Sequence, residues 1–334
     1  MITLDTMQAL FIDEPNGPFV SRRIPLPVPG PKEVLVKIAA SGVNPLDIKI
    51  RQGHASHARH TFPAILGLDM AGTIVALGSE VSRFRLGDEV LGMTGGVGNI
   101  QGSLAEYAAV DADLLAHKPV RLSMREAAAL PLIFITAWEG LVDRAKVNSE
   151  KTVLVHGGAG GVGHMAVQIA SAQGSRVYTT VSHQDFEHVR QYGAIPIDYQ
   201  ATPVESYVEN YTGNEGFDII YDTVGGAVLD SSFAAVRAYG GHVVSCLGWG
   251  THSLAPLSFR GATYSGVFTL MPLLAGLYRK HHGEILLEAV RLFESGLLKI
   301  RMSPQSFSLQ DAEAAHELVS SENANGKVVI EINS

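Results

Sequence analysis

The chain has 334 residues, 46% of them apolar and 17% charged, which is ample for a large core and wrong for a disordered polymer. At roughly 150 residues per domain, two domains are expected. Twenty-five Lys and Arg against 33 Asp and Glu give a net charge of −8, so neither nucleic acid nor an anionic membrane surface is an expected partner. Cys246 is the single cysteine, which rules out an intrachain disulfide framework and a cysteine-rich zinc module. The opening MITLDTMQALFIDEP lacks the basic region and apolar run of a leader, and no stretch approaches the ~18 apolar residues of a membrane helix. A cytoplasmic protein is expected. Glycine supplies 35 residues, in short clusters between apolar runs, as in a fold whose backbone turns sharply at many strand ends.

Residues 1–124 alternate short β-like runs with Gly and Pro turns, among them VLVKIAASG (Val34 to Gly42), MAGTIVALG (Met70 to Gly78) and SLAEYAAV (Ser103 to Val110). Pro25, Pro27, Pro29 and Pro31 exclude a helix or central strand between Val20 and Pro31. Helical spacing begins in SMREAAALPLIFITAWEGLVDRA, with Ser123 as N-cap and Glu126 three residues on. From Lys151 strands and helices alternate: KTVLVHGG, GVGHMAVQIASAQG, SRVYTTVS, HQDFEHVRQYGA, AIPIDY, PVESYVENYTG, FDIIYDTVGG, SSFAAVRAYGG and HVVSCLGWG. Such spacing implies a parallel sheet covered on both faces by helices. After ATYSGVFTL, two helices are expected, MPLLAGLYRKHH and GEILLEAVRLFESG, then SFSLQ, the helix DAEAAHELVSSE and a closing strand KVVIEI. The second glycine cluster, Gly95 to Gly98, precedes no helical pattern and reads as loop.

The turn after the strand Thr152 to His156 is GGAGGVG, in which Gly158, Gly160 and Gly163 fit G-x-G-x-x-G between a strand and a helix. The first glycine permits the tight turn, the second lets backbone reach a pyrophosphate, and the third packs helix against strand. A bare strand–helix turn is the alternative, but the further strand–helix alternations favour a dinucleotide. A site for NAD usually has an acid about 20 positions on, at the end of the second strand. Here that end reads Thr179, Thr180, Val181, Ser182, which favours NADPH, with NADH possible.

Across nearly its whole length the chain resembles the medium-chain dehydrogenase/reductase superfamily, in its zinc-independent, zeta-crystallin-like quinone oxidoreductase branch. The resemblance rests on SGVNPLDIKIRQG (Ser41 to Gly53), ILGLDMAGTIVALGSEVSRFRLGDEV (Ile65 to Val90), GSLAEYAAV, ITAWEGL, HGGAGGVGHMAVQIA, IYDTVGG (Ile220 to Gly226) and NGKVVIEI. It implies an α/β protein: a GroES-like β-rich catalytic domain over 1–124 and 271–334, and a Rossmann doubly wound parallel-sheet domain over 125–270. Asn44 stands where the superfamily's zinc alcohol dehydrogenases carry Cys, and Leu68 and Asp69 stand where they carry His and Glu. LGMTGGVGNIQ holds none of the cysteines of their structural zinc lobe. Zinc needs such N or S donors, so no zinc is expected.

The resemblance further implies NADPH-dependent reduction of a quinone or, alternatively, of a 2-alkenal or enone double bond. In both, the arriving electrons end on an oxygen that the protein must hold. Asn44 is the implied hydrogen-bond donor to that oxygen, and Asp47 of the same N-P-x-D motif an organiser behind it. Relatives commonly carry Tyr two residues beyond R-x-G, where this chain has Ala55, flanked by His54, His57 and His60. Either His54 donates the proton, or the histidines belong to a solvated loop. Cofactor contacts carry over to Thr136, to Ala159, Gly161 and Val162 in the glycine turn, and to Ser182 and Tyr199 near the adenosine phosphate. His183 stands in for the lysine that relatives often carry there. The strand ends add Asp222, Thr223, Val224, Cys246, Leu247, Gly248, Val267, Phe268 and Thr269, and the N-G-K motif adds Asn325 and Lys327. A homodimer joined through the sheet edge near Thr263 to Phe268 is implied as well. A cofactor-binding protein with little catalysis is the remaining alternative, supported by Ala55.

Overall fold

The computed structural model describes residues 6–332. The first stretch forms β1 (Thr6–Phe11), β2 (Val20–Pro25), β3 (Glu33–Val43), α1 (Pro45–Arg51), β4 (Asp69–Leu77), β5 (Glu89–Met93), β6 (Tyr107–Asp111) and β7 (Leu115–His117). There follow α2 (Met124–Ala129), α3 (Pro131–Trp138), β8 (Thr152–His156), α4 (Gly161–Ala172), β9 (Arg176–Val181), α5 (Phe186–Gln191), β10 (Ala194–Asp198) and α6 (Val204–Thr212). Next come β11 (Ile219–Asp222), α7 (Ala227–Ala235), β12 (His242–Ser245), α8 (Ala255–Phe259) and β13 (Thr263–Gly266). The last stretch holds α9 (Met271–Ala275), α10 (Arg279–Glu294), β14 (Phe307–Ser308), α11 (Ala312–Ser320) and β15 (Val328–Glu331). Two compact units result: Met1–Leu132 with Leu270–Glu294 and Ile300–Ser334, and Ile133–Thr269 with Ser295–Lys299.

The first unit is built on a seven-stranded sheet of order β14-β15-β3-β4-β5-β7, with β6 also paired to β3. All its pairings are antiparallel except β14 with β15. The long strand β3 keeps three partners because β15 pairs along Ala40–Val43 and β6 along Glu33–Lys37, beside β4, against which its register shifts between Leu35 and Val36 and again between Ile38 and Ala40. Such bulges bend a strand and increase its twist. Val43 pairs with Val328 and Gly42 with Asp69, so the end of β3 lies between the starts of β15 and β4. The proline-rich segment behaves as its composition requires: β2 lies in a separate two-stranded ribbon with β1, and the chain leaves it at Pro25.

The second unit is a fully parallel six-stranded sheet of order β10-β9-β8-β11-β12-β13. This is the Rossmann order, in which the strand sequence reverses between β8 and β11 and ligands bind beyond the carboxyl ends at that point. Leu154, Tyr178, Phe217, Ile220, Phe233 and Val243 pack into its buried core. Burying each such side chain contributes roughly 1.5–3 kcal/mol.

Two helical segments differ from their expected extents. The run from Ser123 forms its reciprocal cap, with Ser123 N donating to Glu126 Oε2 at 2.9 Å and Glu126 N to Ser123 Oγ at 3.2 Å. It then breaks, because Pro131 can open a helix but lacks the N–H to continue one. The chain beyond α3 widens into a π-helical turn over Glu139–Arg144. At the other end, α9 stops at Gly276 in a left-handed conformation, and α10 runs through the break expected at Gly283. Gly283 is there for close approach: a Cβ would lie 2.4 Å from the Asp113 carbonyl oxygen.

Candidate functional site

The register at the end of β3 gathers Asn44, Asp47, Asp69 and Lys327 in the first unit. Asn44 is the residue before α1, with extended backbone (φ −122°, ψ 152°), and Pro45 pre-sets the helical φ of the first turn. Asp47 reaches back so that its Oδ2 accepts from Asn44 N at 2.8 Å. That leaves the Asn44 carboxamide free to reach across the strand ends. Its Nδ2 donates to Asp69 Oδ2 at 2.9 Å, and its Oδ1 accepts from Lys327 Nζ. Lys327 Nζ also donates to the Val43 carbonyl at 3.1 Å, and Asp69 Oδ1 accepts from Leu132 N at 2.9 Å.

All four side chains are buried, Asn44 and Asp69 completely. Burial dominates their electrostatics. It pushes the Asp47 carboxyl up to about 7, aided by Asp69 and opposed by the Asn44 hydrogen bond and by Lys327. It pushes Asp69 up to about 6, against the pull of Lys327 and its own hydrogen bonds. Burial also lowers the Lys327 ammonium from its ordinary value, against the attraction of both carboxylates. An ionised carboxylate only accepts and an ammonium only donates, so the two fix which end of the Asn44 amide faces which neighbour.

The glycine turn of the second unit follows β8. A Cβ on Gly158 would lie 1.9 Å from Thr179 Oγ1, and one on Gly163 would lie 2.0 Å from the Gly157 carbonyl. Only glycine permits that closeness of turn, strand and helix. Gly160 is exposed and precedes α4, whose first-turn amides have no acceptor within the helix and favour an anion. Behind the turn, His156 Nδ1 lies 3.0 Å from Thr180 Oγ1, and Thr223 Oγ1 donates to the His156 carbonyl at 2.6 Å. Burial holds the His156 imidazole down at about 4, so the ring stays neutral at neutral pH. Asp222 accepts from Val224 N, Gly225 N and Ser245 Oγ, while Cys246 N donates to the Asp222 carbonyl and Val267 N to the Ser245 carbonyl. The carboxyl ends of β8, β9, β11, β12 and β13 thus form one hydrogen-bonded rim. Leu247, Gly248, Phe268 and Thr269 continue it, with Gly248 against the Tyr264 hydroxyl and Phe268 edge-on to Trp249. Thr136 is buried in α3, its carbonyl accepting from Tyr221 Oη at 2.7 Å.

At the end of β9, Ser182 Oγ donates to Asp185 Oδ2 at 3.0 Å, His183 is exposed against Phe186, and Tyr199 is 58% exposed. The acid absent from the strand end therefore reappears three residues later, a spacing that the search for an acid at the strand end passed over. In the first unit, Asp69 and the Lys327–Asn44 contact were equally missed, because only strand register brings them together. His54 and Asn325 are exposed. His54 N donates to the Lys49 carbonyl, and Asn325 Oδ1 accepts from Arg301.

Residues 30–120 match the alcohol dehydrogenase GroES-like domain, and residues 193–330 match the zinc-binding dehydrogenase family. An NADPH-dependent alkenal/one oxidoreductase of Arabidopsis thaliana is 34% identical over 89% of this chain and 72% of its own length. A quinone oxidoreductase of Sus scrofa is 30% identical over 97% of each chain. The crystal structure of an alcohol dehydrogenase superfamily protein from Novosphingobium aromaticivorans superposes with a TM-score of 0.96, at 55% identity over 98% of this chain and all of that one. The buried cluster offers the oxygens of Asn44, Asp47 and Asp69 and already contains the Lys327 ammonium. Among the described residues no group of three or more His, Cys, Asp or Glu side chains could hold a metal ion. No helix among them is long and apolar enough to cross a membrane. A GroES-like domain joined to a Rossmann domain, shared with relatives over most of their length, places this chain in the medium-chain dehydrogenase/reductase superfamily, in its quinone oxidoreductase-like branch.

Proposed function

We propose that the protein reduces quinones by hydride transfer from NADPH, without zinc. The observation carrying this reading is the Asn44 carboxamide, fixed between an ammonium and a carboxylate where a zinc enzyme of the superfamily would need a metal ligand. A bound reduced nicotinamide dinucleotide supplies the hydride.

The turn from Gly158 through Ala159, Gly160, Gly161 and Val162 to Gly163 holds the pyrophosphate, with α4 amides facing the charge. Ser182, His183 and Tyr199 receive the adenosine phosphate, with NADH as a poorer substitute. Asp222, Thr223, Val224, Cys246, Leu247 and Gly248 line the dinucleotide along the strand ends. Thr136, Val267, Phe268 and Thr269 flank the nicotinamide. One Nδ2 hydrogen of Asn44 serves Asp69; the other donates to the acceptor oxygen as negative charge develops there. Asp47 holds the Asn44 backbone. His54, exposed and able to exchange protons with water, delivers the proton that completes two-electron reduction.

A second reading, reduction of the activated double bond of a 2-alkenal or enone, is favoured by the 34% identity to the plant alkenal/one oxidoreductase. The chemistry at Asn44 is the same, since an enolate oxygen replaces a phenolate. The edge strand β13, with Trp249 and Phe259 exposed nearby, is proposed as the seam of a homodimer.

The zinc-free part is tested by assaying NADPH oxidation with a small quinone before and after chelator treatment. Equal rates are expected. Loss of turnover on chelation, restored by added zinc, would overturn it.

A further inference from the structure

We propose that Lys327 is a positioning residue for Asn44, acting on the acceptor through the amide and not through the cofactor. The inference rests on the reading of Asn44 as donor to the acceptor oxygen.

The geometry carries it in three steps. Lys327 Nζ donates to Asn44 Oδ1 and, at 3.1 Å, to the Val43 carbonyl, so the ammonium is anchored to the backbone at the end of β3 and to the amide beyond it. The amide has nowhere to turn. Reversing it would set its NH2 against the ammonium and its carbonyl oxygen against Asp69, a donor facing a donor and an acceptor facing an acceptor. Leaving either group unpaired in a buried site costs as much as a lost hydrogen bond or more. Third, a positive charge on Oδ1 draws electron density along the carboxamide and makes the Nδ2 hydrogens stronger donors, an effect enlarged by the low dielectric of the interior. Lys327 thus sets both the direction and the donor strength of Asn44.

The arrangement depends on strand register alone. Lys327 immediately precedes Val328, which pairs with Val43, and Asn44 immediately follows Val43. The two side chains therefore meet at the same end of adjacent antiparallel strands.

The test is a double-mutant cycle with Asn44→Ala, Lys327→Met and the pair, measuring kcat and KM for a quinone at saturating NADPH. The Kd for NADPH is measured by fluorescence titration, and each variant's fold is checked by its denaturant midpoint. Losing an oxyanion donor lowers kcat about 100-fold, and that is expected of Asn44→Ala. Lys327→Met is expected to lower kcat about tenfold or more, with the NADPH Kd and quinone KM moving less than about threefold. The double variant should be no slower than Asn44→Ala, because Lys327 has no other route to the reaction. Lys327→Gln, which keeps a donor without the charge, should recover part of the loss, and it carries the same comparison if Lys327→Met does not fold. Losses that multiply in the double variant would overturn the proposal, and so would a Lys327→Met defect confined to the NADPH Kd. An unchanged kcat in Asn44→Ala would remove the acceptor-site reading itself, and the inference with it.

Discussion

Asn44 and Asp69 face each other across the ends of β3 and β4, with Nδ2 donating to Oδ2 at 2.9 Å and neither side chain exposed. The other Asp69 oxygen accepts from Leu132 N. Both bonds require an acceptor. Asp69→Asn places an NH2 against one of the two donors and leaves the Lys327 charge less compensated. We expect a loss of about 3 kcal/mol or more of stability in denaturant unfolding. A change within about 0.5 kcal/mol, the usual range for a surface substitution, would show that the carboxylate is not an obligatory acceptor.

Asp47 gives a pH signature. Its carboxyl is raised from 3.8 to about 7, chiefly by burial. Between those values the folded protein holds a proton that the unfolded chain has released. This contribution to stability is full below about 3.8, falls as pH rises, and is gone above about 7. Asp69 acts in the same direction to about 6 and is present in both proteins compared. Asp47→Asn should therefore gain stability relative to wild type as pH rises from 4.5 to 8. Parallel stability curves would contradict the assignment.

The glycine turn is intolerant of a methyl group. Gly158→Ala and Gly163→Ala each force a Cβ to about 2 Å from Thr179 Oγ1 or the Gly157 carbonyl, so the turn must open. Titration should show at least tenfold weaker NADPH binding, about 1.4 kcal/mol. Gly160→Ala, whose Cβ would come no nearer than 3.3 Å to other atoms, should retain the fold. Unaltered NADPH affinity in the first two variants would place the dinucleotide elsewhere.

Asp185 opposes the cofactor phosphate that Ser182 is proposed to receive. The Ser182 hydroxyl is turned onto Asp185 Oδ2, and a carboxylate there repels a 2′-phosphate. Asp185→Asn is expected to raise the NADPH-over-NADH preference in kcat/KM several-fold. A fall in that preference would mean that Asp185 orients Ser182 for the phosphate.

The proton donor is tested separately. His54→Gln should lower kcat with a quinone about tenfold or more, the usual loss when a general acid is removed. An unaltered rate would return His54 to the solvated loop.

What the sequence made legible follows from how local each feature is. The alternation from Lys151 onward announces a parallel sheet, because each strand–helix–strand unit is contiguous in the chain. The glycine turn could be placed between β8 and α4 for the same reason. Asn44 and its partner Asp47 were found through N-P-L-D, a motif within one turn of chain, but the contacts of Asn44 with Asp69 and Lys327 were not. Lys327 lies 283 residues away and meets Asn44 only through the pairing of β15 with β3. A pattern of alternating side chains carries no register between distant strands. Gly283 misled in a different way: glycine ends many helices, yet here it sits mid-helix against the Asp113 carbonyl, a contact visible only once α10 is packed.

Hydride transfer from NADPH to a conjugated oxygen acceptor is tested most directly by NADPH consumption of the purified protein with a small quinone and a 2-alkenal, assayed side by side. Stoichiometric turnover of the quinone is expected, and faster turnover of the alkenal would select the double-bond reading. Tight NADPH binding with no turnover of either would contradict reductase activity and leave a cofactor-binding protein.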